Sequence, residues 1–420
     1  MHYTSLQHGV LITPVRINSN LEASKPIIIN VLNMATAPAP LRTAIIGLSS
    51  SATTSWAANA HLPGLLTPTG RSKLPITALL NSSVKAAQSA IETYKLDQGT
   101  KAYGSPKDLA NDPDVDLVIC NTRVDKHFET ILPSVKKGKD VFVEWPIAAN
   151  LKDVETLVEE ARKSGSRVAV GLQRRWAPPA VKLREIIKDG VNGKKLGKIL
   201  SVDVRAYGGT IDRGIFPEGL KYFADRKVGG NVIVIGNGHL FDTVLSVVGD
   251  LNPKTVHTQL QLQRPDVRIR DPSTNKIIDT VRSDVPDLLS LHGTLQSSGA
   301  TLSYLFRRGQ QFPGTPALTW TINLDHGEIR VVSQSGLNLE LGEPASIHVH
   351  WFETDTVEEV KWEWNAEQAA LPPSARNVIS TLIAFADRKA PGDGWVSIED
   401  AASRARLIEH SLVEWEESQR

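Results

Sequence analysis

Residues 140–165 read "DVFVEWPIAANLKDVETLVEEARKSG", and this stretch decides the fold. The run "DVFVEW" is short and apolar, as in a strand covered on both faces. The remainder is helical. Asn150 can accept from the free amides of a first turn, Asp153 stands three residues on, and Leu151, Val154, Leu157, Val158 and Ala161 trace one face up to Gly165. A buried strand followed by a helix of this length is half of a parallel crossover.

Upstream the same alternation recurs. "TAIIGL" (43–48), "LPITALLNSS" (74–83) and "VDLVIC" (115–120) read as buried strands, with helices at "VKAAQSAIETYKL" and at the proline-bearing "HFETILPSVKKG". Together these predict a doubly wound parallel sheet, a Rossmann dinucleotide-binding domain over residues 42–167. Beyond "SRVAVGL" (166–172) the strands lengthen and alternate with period two, as in "KILSVDVRAYGG", "ATLSYLFRR" and "LTWTINLDHGEIRVVSQ". Such strands have one covered and one wet face, so a large open, mostly antiparallel sheet is expected. The chain closes on helices at "SARNVISTLIAFADR" and "IEDAASRARLIEHSLVEW". The expected fold class is therefore α/β, with the Rossmann sheet followed by a C-terminal α+β domain over residues 168–420 for substrate binding and dimerisation. Residues 1–41 are read as an extension or disordered leader, with Met34 a second candidate start.

A chain of 420 residues exceeds what one core usually supports, consistent with two domains. Lys plus Arg number 47 against 46 for Asp plus Glu, a net charge of +1. That balance offers no basic surface for nucleic acid, so a small-molecule or protein partner is expected. No run is apolar for long enough to span a bilayer, and "KPIIINVL" is too short for a secretory signal. Cys120 is the sole cysteine and reads as a small buried hydrophobe. With no internal disulfide available, a cytoplasmic location is expected. No metal site is expected.

A glycine that ends the first strand is how a Rossmann domain begins to hold a pyrophosphate. Here the loop reads "GLSSSATTSW": only Gly47 remains of G-x-G-x-x-G, and Ser49 replaces the second glycine. The hydroxyls of Ser49 and Ser50 can still donate to phosphate oxygens. The second strand ends in Asn81, Ser82 and Ser83, followed by Lys85. An acid there would accept from the ribose hydroxyls. Its absence favours NADP over NAD.

The accumulated motifs resemble the glucose–fructose oxidoreductase, inositol dehydrogenase and rhizopine catabolism (Gfo/Idh/MocA) family. The matching pieces are "AIIGL", "VICNTRVDKH", "GKDVFVEWP", "GLQRRWAPP", "GKILSVDV", "GGNVIVIGNGHLFD" and "SIEDAASRARLIEHSL", in order across residues 42–418. The resemblance implies hydride transfer to or from a carbon of a small molecule, and a homodimer formed through the open sheet. By position it implies that Thr122, His127 and Glu144 line the cofactor's ribose and nicotinamide side. Arg175 would lie near the carboxamide, or else be a solvated or ion-paired arginine.

Two departures bear on the chemistry. Trp145 stands where the family carries a lysine that helps manage the reacting proton, and the family's Asp–x–x–x–His pair is here Ile235 and His239. Indole does not exchange a proton near neutral pH. General acid–base help therefore falls to His239, whose other reading is a structural histidine opening a helix. Trp145 reads as a wall of the cleft, with an interdomain packing indole as the alternative. The galactose-regulon repressors of yeasts resemble the same family and share the lysine-to-tryptophan change. A non-catalytic, dinucleotide-binding transcriptional regulator with a protein partner is thus the second expectation beside an oxidoreductase.

Overall fold

In the computed structural model, which describes residues 38–51, 55–208 and 212–420, the apolar runs form strands β1 (Thr43–Ile46), β2 (Ile76–Leu80), β3 (Lys101–Tyr103), β4 (Leu117–Cys120), β5 (Asp140–Glu144) and β6 (Val168–Gly171). They pair in parallel in the order 3-2-1-4-5-6. The crossovers run through α1 (Leu62–Leu65), α2 (Pro68–Lys73), α3 (Val84–Thr93), α4 (Pro106–Asn111), α5 (His127–Lys136) and α6 (Leu151–Ser164). The strand order reverses between β1 and β4, which opens the crevice where α/β sheets take ligands. α6 starts as its sequence indicates: Asn150 accepts from the Asp153 amide at 2.9 Å, and Gly165 ends the helix in the left-handed region. Pro133 lies inside α5 without breaking it, the loss of one backbone bond being tolerated in a helix packed on the sheet.

The second half adds α7 (Pro178–Asp189), β7 (Ile199–Gly208), β8 (Ile215–Pro217), α8 (Gly238–Val248), β9 (His257–Gln261), β10 (Asp266–Arg270), β11 (Ile277–Arg282) and β12 (Leu288–Thr294). After these come β13 (Thr301–Arg308), β14 (Leu318–Leu324), β15 (Gly327–Ser333), β16 (Ser346–Trp351), β17 (Thr356–Glu359), α9 (Ala366–Ala369), α10 (Pro373–Ala386), β18 (Val396–Ser397) and α11 (Ile398–Ser418). Eight of these strands form one sheet in the order 17-16-15-14-7-13-12-9, antiparallel except where β7 meets β13. Its inner face carries Tyr304, Phe306 and Trp320, all fully buried, whereas Thr319, Thr321 and Asn323 look outward. A small sheet, β11-β10-β8, stands beside it.

The expected boundary at residue 167 is not where the layers divide. β6 belongs to the N-terminal sheet, and β18 extends that sheet by pairing antiparallel to β6. α10 lays Val378, Leu382 and Phe385 against Ile45, Leu79 and Phe142 in a single core. A doubly wound sheet needs both faces covered, and the chain's late helices complete one of them. Of the expected leader, Leu41 is buried, and residues 1–37 lie outside the described residues. Cys120 is fully buried, and burial pushes its thiol pKa up. No helix among the described residues is long and apolar enough to cross a membrane.

Candidate functional site

β1 ends at Gly47 with φ of +88°, and a Cβ there would stand 3.1 Å from the Asn121 backbone at the end of β4. Only glycine suits both the left-handed turn and that close approach. Around it the loop is tied to neighbouring elements. The Asn81 side chain donates to the Leu48 carbonyl at 2.8 Å, and the Tyr94 hydroxyl donates to the Ser49 carbonyl at 2.8 Å. The Ser50 hydroxyl meets that of Ser89 at 3.2 Å. Asn81 thus braces the loop rather than facing outward. Ser82 is exposed, and Ser83 caps α3 by accepting from the Ala86 amide. Beside Gly47, the buried amide of Asn121 has no partner for either its nitrogen or its oxygen among the described residues. A buried primary amide left wholly unpaired is costly, and here it sits at the reversal point of the sheet.

Three residues expected along the ribose and nicotinamide also make contacts within the protein. Thr122 keeps its hydroxyl near the Cys120 sulfur at 3.5 Å, while its carbonyl meets His127 Nε2 at 2.8 Å. His127 is buried, and its other ring nitrogen approaches the Pro146 carbonyl at 2.9 Å. Burial holds its pKa down against those two carbonyls. It links the loops after β4 and β5. Glu144 is buried and joined to His61 Nε2 at 2.6 Å. His61 belongs to a π-helical turn, Ala57–His61, and meets Phe142 edge-on. Sequence reading missed His61, which stands in no recognisable spacing to Glu144.

Trp145, joined to Pro146 by a cis peptide, is 4% exposed. Its indole nitrogen donates to the Val234 carbonyl at 2.7 Å, and a Cβ on Gly238 would come within 2.9 Å of that nitrogen. These contacts agree with the packing reading, and the same indole also lines a small cavity beside Pro146, Val234 and Ile408. Val234 lies in a π-helical segment, Val232–Asn237, that leads into α8.

Of the two readings of Arg175, its geometry is that of the ion-paired arginine: it forms a two-pronged ion pair with Asp242 of α8, at 2.8 and 2.6 Å. Its neighbour Arg174 is half-buried. Among the described residues no carboxylate comes within ion-pair distance of Arg174, although Glu340 and Glu144 act on it electrostatically. Desolvation pushes its pKa down against both acids. On α8, which packs against the Gln173–Trp176 turn, His239 is buried, and among the described residues its Nδ1 has no partner. Burial and the Arg174 charge hold its pKa well below the ordinary value, so the ring is neutral. Gln173–Trp176 form a 3-10 turn, in which neighbours point about 120° apart, so Arg174 and Arg175 meet different surroundings.

Residues 41–172 match the oxidoreductase family with an NAD-binding Rossmann fold, Gfo/Idh/MocA, and residues 178–333 match the C-terminal domain of Gal80p. The dehydrogenase aclE of Aspergillus oryzae is 30% identical over 302 residues, which cover 70% of this chain and 77% of that protein. The chain belongs to the Gfo/Idh/MocA oxidoreductase family. Within the family's reach also stands the galactose/lactose metabolism regulatory protein GAL80 of Saccharomyces cerevisiae, 25% identical over 292 residues, or 68% of this chain and 64% of that protein. A solved super-repressor mutant of Gal80p from the same yeast superposes with a TM-score of 0.76 at 21% identity, covering 89% of this chain and 95% of that one. This Gfo/Idh/MocA chain thus keeps the family's fold while its proton-handling lysine position is a packed indole.

Proposed function

We propose that the chain is an NAD(P)-dependent oxidoreductase acting on a carbonyl or hydroxyl of a small molecule, with NADP(H) preferred, and that it works in the cytoplasm as a homodimer joined through the open sheet. The single observation that carries this reading is Arg174, a half-buried residue whose desolvated guanidinium has no ion-pair partner among the described residues and whose charge acts on buried His239, where Nδ1 is likewise without a partner among them. A desolvated charge is expensive unless something answers it, and an electron-rich substrate oxygen supplies that answer.

The residues at the sheet's reversal point fit a dinucleotide. Gly47 gives close approach, Asn121 offers an unpaired amide, and Ser49 and Ser50 bring hydroxyls to the rim. The absence of an acid at the end of β2 leaves room for a 2′-phosphate, with Lys85 three residues past Ser82. When bound, the nicotinamide supplies or accepts the hydride. Arg174 would polarise the substrate oxygen, and His239 would orient it through a neutral hydrogen bond.

Titration of NADH and NADPH against the fluorescence of the nine tryptophans tests coenzyme binding, with NADPH expected to quench at lower concentration. A panel of carbonyl compounds then tests turnover, which Arg174→Gln should lower about 10²-fold or more while coenzyme quenching persists. A second reading, a dinucleotide-binding regulator, is favoured by the Gal80p match over residues 178–333 and by the lost lysine. It predicts quenching without turnover, and a bound protein partner in place of a substrate.

A further inference from the structure

We propose that Glu340 is the proton-handling residue of the Arg174–His239 site, passing a proton to the substrate's carbonyl oxygen and recovering it from solvent through a cavity that it lines. This assignment rests on the oxidoreductase reading. Among the described residues, the other buried acids, Asp112, Asp140, Glu144, Asp242 and Asp287, each face a Lys, Arg or His within 3.3 Å. Glu340 has none at that range. Its carboxyl accepts from the Asn377 amide of α10 at 3.1 Å.

Glu340 lies on the loop between β15 and β16, 7% exposed. Its partner Asn377 sits on α10, which packs against the Gln173–Trp176 turn that carries Arg174, and the Arg174 charge acts on the Glu340 carboxyl. Glu340 also lines an open cavity of about 690 Å³ walled by Trp362 and Trp364. The charged groups around that cavity are Lys361 and Arg376 against Glu359 and Glu363, two of each sign. Arg376 is engaged by the Leu371 and Ala369 carbonyls. Burial raises the Glu340 carboxyl pKa, opposed first by Arg174, so the acid form persists above the ordinary carboxylate range.

In carbonyl reduction the carbonyl carbon gains the hydride supplied by the coenzyme, the C=O π bond breaks, and the oxygen takes the Glu340 proton. Glu340 is left as a carboxylate facing Arg174, and water in the cavity restores its proton. Alcohol oxidation runs the same transfers backwards. This supplies what Trp145 and Ile235 cannot, and what neutral His239 cannot begin.

Glu340→Gln retains an oxygen to accept from Asn377. It is expected to slow carbonyl reduction by about 10²- to 10⁴-fold with coenzyme quenching unchanged, and to remove the fall of the wild-type rate at rising pH. Glu340→Asp, which keeps a titrating carboxyl, should recover part of the rate and that fall. Independently of turnover, difference infrared spectra of the coenzyme-free protein should show a protonated-carboxyl stretch near neutral pH that vanishes in Glu340→Gln. An unchanged rate and pH profile in Glu340→Gln, or no such stretch in the wild type, would overturn the Glu340 assignment alone. Absence of coenzyme quenching in the wild type would instead overturn the oxidoreductase reading, and the role of Glu340 with it.

Discussion

At the scale of single residues, Trp145 shows how one substitution changes a site's character. Its indole fills the space between β5 and the start of α8 and satisfies the Val234 carbonyl. Trp145→Lys would lose that packing and place an ammonium among apolar neighbours, so a loss of at least about 3–5 kcal/mol is expected in urea denaturation. Restored family chemistry with unchanged stability would contradict the packing role. His239 gives a prediction in pH. Its folded pKa lies well below the ordinary value, so the unfolded chain takes up a proton that the folded chain refuses. Stability from this residue is complete above the ordinary histidine pKa, about 6.5, and declines as pH falls below it toward the depressed value, by up to about 1.4 kcal/mol per pH unit. Glu340, whose folded pKa is raised, acts with the opposite sign from the ordinary carboxylate pKa upward, but it is common to both proteins when wild type is compared with His239→Gln, whose stability should fall less steeply below pH about 6.5. Parallel curves would count against a neutral, buried His239. The sequence marked Trp145 by its departure from the family and His239 as the retained half of the Asp–x–x–x–His pair, yet offered no means to single out Arg174, because orientation in a 3-10 turn is set by what packs around it.

At the scale of elements, the segment Val232–Asn237 joins the two halves of the site. Its cap, Asn231, is fully buried and accepts from the amides of Ile233 and Val234 at 3.0 Å each. The same segment presents the Val234 carbonyl to Trp145, and Asn237 accepts from the Tyr304 hydroxyl at 2.7 Å. Asn231→Ala should cost about 1–2 kcal/mol by thermal or urea unfolding, and Asn231→Asp, which keeps the acceptor, appreciably less. Equal losses would mean that Asn231 acts through packing alone. The strands and long helices were legible because burial imposes their periods: α6 starts at Asn150 and stops at Gly165 as its pattern requires. The π-helical turns were not, since a π turn differs from an α turn by one residue in hydrogen bonding and leaves no periodic mark. The same limit hid His61, which such a turn carries to Glu144.

At the scale of the whole molecule, the two sheets were readable but the division between them was not. Periodicity reports which face of an element is buried, never which neighbour buries it, so α10 and β18 gave no sign of returning to the N-terminal sheet. What ties the layers is partly ionic. Asp242 of α8 receives Arg175 from the turn after β6 and also Arg404 of α11, at 3.2 Å, while Arg404 reaches Asp250 at 2.9 Å. Asp242 and Arg404 are both buried, so solvent screens this cluster little. Asp242→Asn keeps the shape but leaves two guanidinium groups with the more exposed Asp250 and the more distant Asp400 as counter-charges. Removing one partner of a buried pair costs about 3–5 kcal/mol, and because the cluster joins β6, α8 and α11, that loss should lower a single cooperative transition seen alike by tryptophan fluorescence and far-ultraviolet circular dichroism. Two separated transitions in the wild type would show that the sheets unfold independently. A shift under about 0.5 kcal/mol in Asp242→Asn would show that apolar packing of α10 and α11, rather than Asp242, holds them together.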